Sequence, residues 1–105
     1  MRNYLLLSVA MLVAAPVALA AELKAGPLFV ICSDKKSDTM SVGCEAFTEG
    51  FVQGLTAAGM ICPPPDAHKQ VVRDLLALPR SEIGDGTVAA VLVPRLKVKY
   101  PCPKV

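Results

Sequence analysis

The chain has 105 residues, of which 53% are hydrophobic, and its 11 Lys or Arg and 9 Asp or Glu give a formal net charge of +2. A chain of this length allows one domain with a thin core, and such domains commonly need a covalent or metal staple. Basic and acidic residues are interleaved along the sequence, which excludes the concentrated basic face that nucleic-acid binding requires.

Residues 1–20 have the pattern of a cleavable secretory signal peptide. Arg2 supplies the positive charge, residues 4–17 form an almost uninterrupted apolar run, and an Ala-Leu-Ala cleavage pattern follows. A transmembrane anchor, the alternative, needs about 20 apolar residues and lacks such a cleavage pattern. We therefore predict cleavage after Ala20 and a mature part, residues 21–105, that is a single domain released into the periplasm without a membrane attachment.

All four cysteines, Cys32, Cys44, Cys62 and Cys102, lie in the mature part and predict two disulfides, because an even count in a short secreted protein is typical of them. A predicted helix of about 15 residues separates Cys44 from Cys62 by more than about 20 Å, whereas bridged Cα atoms lie within about 7 Å. Cys32 lies at the end of the preceding predicted helix, which an antiparallel turn would bring back beside Cys44, so we favour Cys32 with Cys44 and Cys62 with Cys102. The spacings contain no C-x-x-C pair or Cys/His cluster, so no redox pair, metal or cofactor is predicted.

Hydrophobic periodicity predicts four helical segments in the mature part. The clearest one spans residues 42–58, where apolar residues recur three or four positions apart, and Gly59 provides its C-terminal stop. The other three cover residues 23–33, 66–78 and 87–99. The fold class predicted from this pattern is a small all-α, four-helix domain stapled by two disulfides.

The connections and helix ends carry further predictions. Residues 33–41 and 80–86 are polar and are interpreted as solvated connections. Asp66 is the predicted N-cap of the third helix, and the last helix is predicted to start near Asp85. Pro94 lies inside the last segment, which is also rich in valine. An irregular segment or a strand is therefore the alternative to a helix there.

No side chain has the neighbours that catalysis requires. His68, the only histidine, has no Cys, Ser or acidic partner at a suitable spacing, which favours a solvated position over an interface role. Glu45 and Glu49 lie one turn apart on the side of their helix opposite its apolar face, a pattern more typical of a solvated face than of an acid and base pair. Because no nucleophile has a general base beside it, we predict that the chain is not an enzyme and has no catalytic residues.

A set of residues spread over positions 28–102 carries a resemblance to a known family. They are Cys44, Phe47, Gly50, Gly54, Cys62, Pro64, Gln70, Val71, Val72, Leu76, Pro79, Tyr100, Pro101 and Cys102. In this order they resemble the Tai-type immunity proteins (Rap/Tai-like domains), periplasmic antidotes to peptidoglycan amidases delivered by type VI secretion. The resemblance implies a compact all-α domain, often a homodimer, which binds an effector protein and blocks its active-site groove.

The leading hypothesis is therefore a periplasmic binding protein of the immunity type, which neutralises a secreted peptidoglycan amidase by steric occlusion. The second is an acid-stress periplasmic chaperone, which would expose apolar surface when its carboxylates are protonated. Four cysteines rather than two, and an ordinary number of acidic residues, argue against the chaperone. A structural envelope protein with another partner is the third hypothesis.

Overall fold

Residues 22–104, which the computed structural model describes, form five helices. Their bounds are Ala25–Ser33 (α1), Asp38–Ala57 (α2), Ala67–Leu76 (α3), Arg80–Ile83 (α4) and Val88–Lys99 (α5). Within this range there is no strand, and one isolated antiparallel bridge joins Lys24 to Thr87. The predicted all-α class is confirmed, whereas the predicted signal peptide and its cleavage site lie outside the described residues. None of these helices combines the length and the apolar character needed to span a membrane.

The start of α2 corrects the predicted polar connection over residues 33–41. α2 begins at Asp38 because Ser37 is its N-cap, and the Ser37 Oγ accepts a hydrogen bond from the Met40 N–H at 3.2 Å. Asp38 adds a negative charge in the first turn, where the helix dipole favours it. The predicted polar connection therefore includes the cap and the first turn of the helix.

The end of α2 follows the prediction that Gly59 stops the helix. Gly59 has a left-handed backbone with φ 73°, a conformation that glycine adopts without a steric cost. Its N–H donates to the Thr56 carbonyl and the Met60 N–H donates to the Leu55 carbonyl, both at 3.0 Å. These two bonds form a Schellman motif, which turns the chain away from α2 and towards the proline segment that follows.

The start of α3 differs from the prediction in one detail. Asp66 occupies the N-cap position, but its side chain caps no N–H group of the helix. Its backbone is left-handed, with φ 62°, whereas a capping residue normally has an extended backbone that directs its side chain at the helix. The Asp66 side chain is exposed instead of being used as a cap.

The segment over residues 80–86 is more ordered than predicted, because it contains the single helical turn α4. Ile83, at the end of this turn, is buried in the core, and this burial fixes the turn although the segment is mostly polar. Thr87 follows this segment, and its Oγ1 accepts a hydrogen bond from the Ala90 N–H at 3.1 Å. The last helix therefore begins at Val88 with Thr87 as its cap, one residue from the start of the predicted segment 87–99, and Asp85 lies two residues before the cap.

α5 continues through Pro94, so the strand alternative for this segment is wrong. Val88, Val91, Leu92 and Leu96 are buried, and their spacing places them on one helical face. Pro94 is exposed, on the side away from this face, where it removes one backbone hydrogen bond without disturbing the core. Burial of about 1.5–3 kcal/mol per large apolar side chain outweighs that local cost.

One cluster of buried side chains, with members from all five helices, forms the core. They are Ala25, Leu28, Phe51, Val52, Leu55, Ile61, Ala67, Val71, Leu75, Ile83, Val88, Val91, Leu92 and Leu96. Phe51 and Leu55 of α2 are among the largest side chains that are fully buried. α2 packs against both α1 and α3, and α1 also packs against α3 and α5.

Two disulfides hold this core together, and they follow the favoured pairing. Cys32 at the end of α1 is bonded to Cys44 in α2, with a Cα–Cα distance of 5.0 Å. Cys62 before α3 is bonded to Cys102 after α5, with a Cα–Cα distance of 4.9 Å. In addition, the Cys62 N–H donates to the Tyr100 carbonyl at 2.9 Å, so a backbone hydrogen bond accompanies the second disulfide.

Two ion pairs connect α5 to its neighbours at the surface. Arg95 contacts Glu82 of α4 at 3.1 Å, and Lys99 contacts Asp74 of α3 at 2.6 Å. The hydrogen bond with the Asp74 carboxylate, assisted by its charge, raises the pKa of Lys99 above its ordinary value of 10.5. Both pairs lie between helices, so each adds a polar contact outside the apolar core.

Candidate functional site

A cleft of about 510 Å³ lies between the second half of α2 and the segment that leads into α3. We call it the proline cleft. Its lining residues are Glu49, Val52, Gln53, Thr56 and Ala57 of α2, and Pro63, Pro64, Pro65, Asp66, Ala67 and His68 of the facing segment. Its volume lies within the range of about 300–1,000 Å³ that is typical of ligand-binding clefts.

The proline wall of the cleft is rigid before any partner binds. Pro63, Pro64 and Pro65 each have a fixed φ and no N–H group, so their backbone has little freedom to lose. The wall begins directly after Cys62, which is tied to Cys102 by the disulfide and to Tyr100 by a backbone hydrogen bond. A surface that is ordered in advance loses less conformational entropy when it binds a partner.

The opposite wall presents polar side chains over an apolar base. Glu49, Gln53 and Thr56 are exposed along one side of α2, and Val52 is buried beneath them. The Glu49 Oε1 accepts a hydrogen bond from the Gln53 Nε2 at 3.3 Å, and the Thr56 Oγ1 donates to the Val52 carbonyl at 2.8 Å. The cleft therefore combines apolar contact area with a small number of oriented polar groups.

The charge of the cleft is negative at neutral pH. Among the described residues that line it, Glu49 and Asp66 are carboxylates and none is Lys or Arg. His68 lines the same cleft and is half-buried, which differs from the fully solvated position favoured by the sequence. The structure thus places Glu49, Asp66 and His68 around one cleft, although they are up to 19 positions apart in the chain.

Glu45 lies outside this cleft, although the sequence pairs it with Glu49. It is exposed beside a separate depression of about 250 Å³ that also contacts Lys69 and Arg73. Both glutamates face away from the apolar core. Because they line different concave regions, the structure does not place them together over one site.

A second, smaller groove of about 210 Å³ lies between α1 and α4. Phe29, Val30 and Ile83 supply its apolar surface, and Arg80 supplies a positive charge at its edge. Val30 is 60% exposed, so part of this apolar surface is open to solvent. This groove and the proline cleft therefore carry charges of opposite sign.

Within residues 22–104, no group of three or more His, Cys, Asp or Glu side chains is arranged to hold a metal ion. The buried hydroxyl of Thr48 has an ordinary structural partner, since its Oγ1 donates to the Cys44 carbonyl at 2.7 Å.

From the sequence, residues 63–65 are interpreted only as a rigid connection, and the cleft is not predicted. One signal could have indicated it: Glu49, Gln53 and Thr56 are polar residues spaced four and three positions apart, immediately before a glycine stop and a proline run. Such a helix face is expected to meet the proline segment when the chain reverses.

No protein-family model, curated protein or solved structure matches this chain. The resemblance to the Tai-type family therefore stays a prediction that depends on the residues that carry it. The function has to be inferred from the cleft, the disulfides and those residues together.

Proposed function

We propose that this chain is a secreted binding protein of the immunity type, which neutralises a protein effector by covering the effector's active site. The observation that carries the binding function is the proline cleft, a concave surface with one wall fixed by prolines and a disulfide. The class of effector, a peptidoglycan amidase delivered by type VI secretion, follows from the resemblance given above. The chain would act by steric occlusion, without chemistry of its own.

The proposed compartment is the periplasm. Two disulfides join all four cysteines, and such bonds persist in oxidising compartments and are rare in the cytosol. The predicted signal peptide would deliver the chain to such a compartment. A homodimer, which the resemblance implies, belongs to the same proposal.

The cleft would form the centre of a larger contact. A stable protein interface buries about 1,200–2,000 Å² in total, which is more than a cleft of this size provides. Residues at the centre of an interface, in preformed concave regions, usually contribute most of the binding free energy. We therefore expect changes inside the proline cleft to weaken effector binding more than changes elsewhere on α2.

A pull-down with oxidised mature protein (residues 21–105) and a panel of purified type VI peptidoglycan amidases tests this proposal. Ala57→Trp places a large side chain in the cleft, and Ala46→Trp is the matched control, because both alanines are exposed on α2 and only Ala57 lines the cleft. We expect capture by the unchanged protein and by Ala46→Trp, and loss of capture by Ala57→Trp.

Circular dichroism of each variant would verify that the helices are retained. A Cys62→Ser and Cys102→Ser double variant serves as the fold control, because it releases the proline wall. If the oxidised, unchanged protein captures none of the amidases, the immunity function is wrong. If both tryptophan variants capture an amidase equally well, binding occurs on another surface.

A further inference from the structure

We infer that the proline cleft takes a basic side chain of the partner, an arginine in preference to a lysine. This inference rests on the proposed binding function and specifies the chemistry of the bound group. It follows from three properties of the cleft, namely its carboxylates, the helix end that borders it, and the apolar surface between them.

The carboxylates give the cleft a charge that differs from the rest of the molecule. Residues 21–105 contain ten Lys or Arg and nine Asp or Glu, a net charge of +1. The described lining of the cleft contains Glu49 and Asp66 without a Lys or Arg, a charge of −2. A positively charged group is therefore the complementary occupant.

The C-terminal end of α2 adds to this negative potential. The last residues of α2, including Thr56 and Ala57, line the cleft, and the last turn of this helix contains no basic residue. A helix C-terminus carries about half a negative charge, which a cation nearby stabilises. The N-terminus of α3 on the facing wall has the opposite partial charge, about half a positive charge, which is smaller than the two full negative charges of Glu49 and Asp66.

The apolar surface fits the stem of a long basic side chain. Arg and Lys bury their methylene groups on apolar surface while the charged end contacts polar groups. Val52, Ala57 and Pro63–Pro65 provide that surface. From Glu49 to Ala57 the helix rises by about 12 Å, which accommodates about three residues of an extended chain.

Arginine fits these properties better than lysine. Its guanidinium group is planar, is more weakly hydrated than an ammonium group, and can donate to two acceptors at once. Glu49 and Asp66 lie on opposite walls of the cleft, and each carries two acceptor oxygens. A guanidinium group brings five N–H donors to these acceptors, whereas an ammonium group brings three.

The test uses three acetylated and amidated peptides, Gly-Arg-Gly, Gly-Lys-Gly and Gly-citrulline-Gly, each titrated into oxidised mature protein labelled with ¹⁵N. Citrulline has the shape of arginine without its charge. We expect the arginine peptide to shift the amide resonances of Gln53, Thr56 and His68 in a saturable manner. The lysine peptide should bind more weakly, and the citrulline peptide should leave these resonances in place.

Glu49→Gln removes one carboxylate of the cleft, and Glu45→Gln is the matched control one turn away on the same helix. Because exposed ion pairs contribute about 0.2–1 kcal/mol, Glu49→Gln should weaken binding of the arginine peptide by up to about fivefold. Glu45→Gln should leave the binding unchanged. Equal shifts of these amide resonances with the arginine and citrulline peptides would overturn the inference. Shifts confined to residues of the groove between α1 and α4 would overturn it as well.

These peptide titrations do not involve an effector, so the two proposals fail separately. Capture of an amidase without any response of the cleft to the arginine peptide contradicts the basic side chain and leaves the binding function in place. A charge-dependent response of the cleft without capture of any amidase supports the basic side chain and contradicts the immunity function.

Discussion

At the scale of single residues, Lys99 shows how a surface contact is tied to ionisation. Its Nζ lies 2.6 Å from a carboxylate oxygen of Asp74, and this contact joins the end of α5 to α3. The hydrogen bond with Asp74 is the largest cause of the raised pKa of Lys99. A lysine whose pKa is higher in the folded state stabilises the fold as long as it is protonated.

The first prediction concerns the pH dependence of this contact. The contribution of Lys99 should be fully present below its ordinary pKa of 10.5 and should be lost as the pH rises through the higher folded value. The difference in unfolding free energy between the unchanged protein and Asp74→Asn should therefore be constant from neutral pH to about pH 10, and shrink above it. Urea unfolding at a series of pH values measures this difference. A difference that grows at alkaline pH would contradict the assignment.

At the scale of elements, α2 shows which part of a helix the sequence predicts well and which part it does not. The spacing of Cys44, Phe47 and Phe51 predicts the middle of the helix, because steps of three and four place these side chains on one helical face, whereas in a strand the step of three would put Cys44 and Phe47 on opposite faces. Its start was missed because Ser37 and Asp38 are found both in loops and at helix caps. The hydrogen bond from the Met40 N–H to the Ser37 Oγ distinguishes the two.

The second prediction tests this cap. Ser37→Ala should lower the unfolding free energy by about 0.5–2 kcal/mol, because the Met40 N–H then loses its acceptor within the protein. Ser41→Ala is the matched control, since Ser41 is exposed inside the same helix, where alanine is favoured. Thermal or urea unfolding of both variants measures the difference. Equal stability of the two variants would show that Ser37 does not act as a cap.

At the scale of the whole molecule, the sequence indicates the polar face of α2 that lines the cleft, but it does not predict the shape of the cleft or the position of Asp66 on its other wall. Glu49 and Asp66 come together only because the Schellman motif at Gly59 reverses the chain and the prolines carry it back along α2. The pairing of the cysteines was predictable in two steps, because the length of one helix excludes Cys44 with Cys62 and an antiparallel turn brings Cys32 back beside Cys44. A helix length is a local property, whereas the shape of a cleft depends on how two segments pack.

The third prediction compares the two disulfides. The Cys62–Cys102 bond closes 40 residues and the Cys32–Cys44 bond closes 12. In the chain-entropy account these loops correspond to about 4 and about 3 kcal/mol of unfolding free energy. The double serine variant at positions 62 and 102 should therefore be the less stable of the two double variants in urea unfolding. The reverse order would contradict an entropic origin of the difference.

The fourth prediction separates the immunity function from the acid-stress chaperone. The described carboxylates are at the surface, and the core cluster is apolar and closed by two disulfides. Protonation at pH 2 to 3, roughly a unit or more below ordinary carboxylate values, should therefore leave the core closed. We expect no binding of a hydrophobic dye and no change of mass in solution at that pH. Strong dye binding at pH 2 to 3 would favour the chaperone.

The central claim is that the oxidised protein blocks an effector through its proline cleft, and an inhibition titration tests it most directly. The measured quantity is the hydrolysis of purified peptidoglycan by a captured amidase as oxidised mature protein is added. We expect the amidase activity to fall to background near one equivalent of the unchanged protein or of Ala46→Trp, and to stay at its full value when Ala57→Trp is added. Full activity in the presence of excess unchanged protein would contradict the claim.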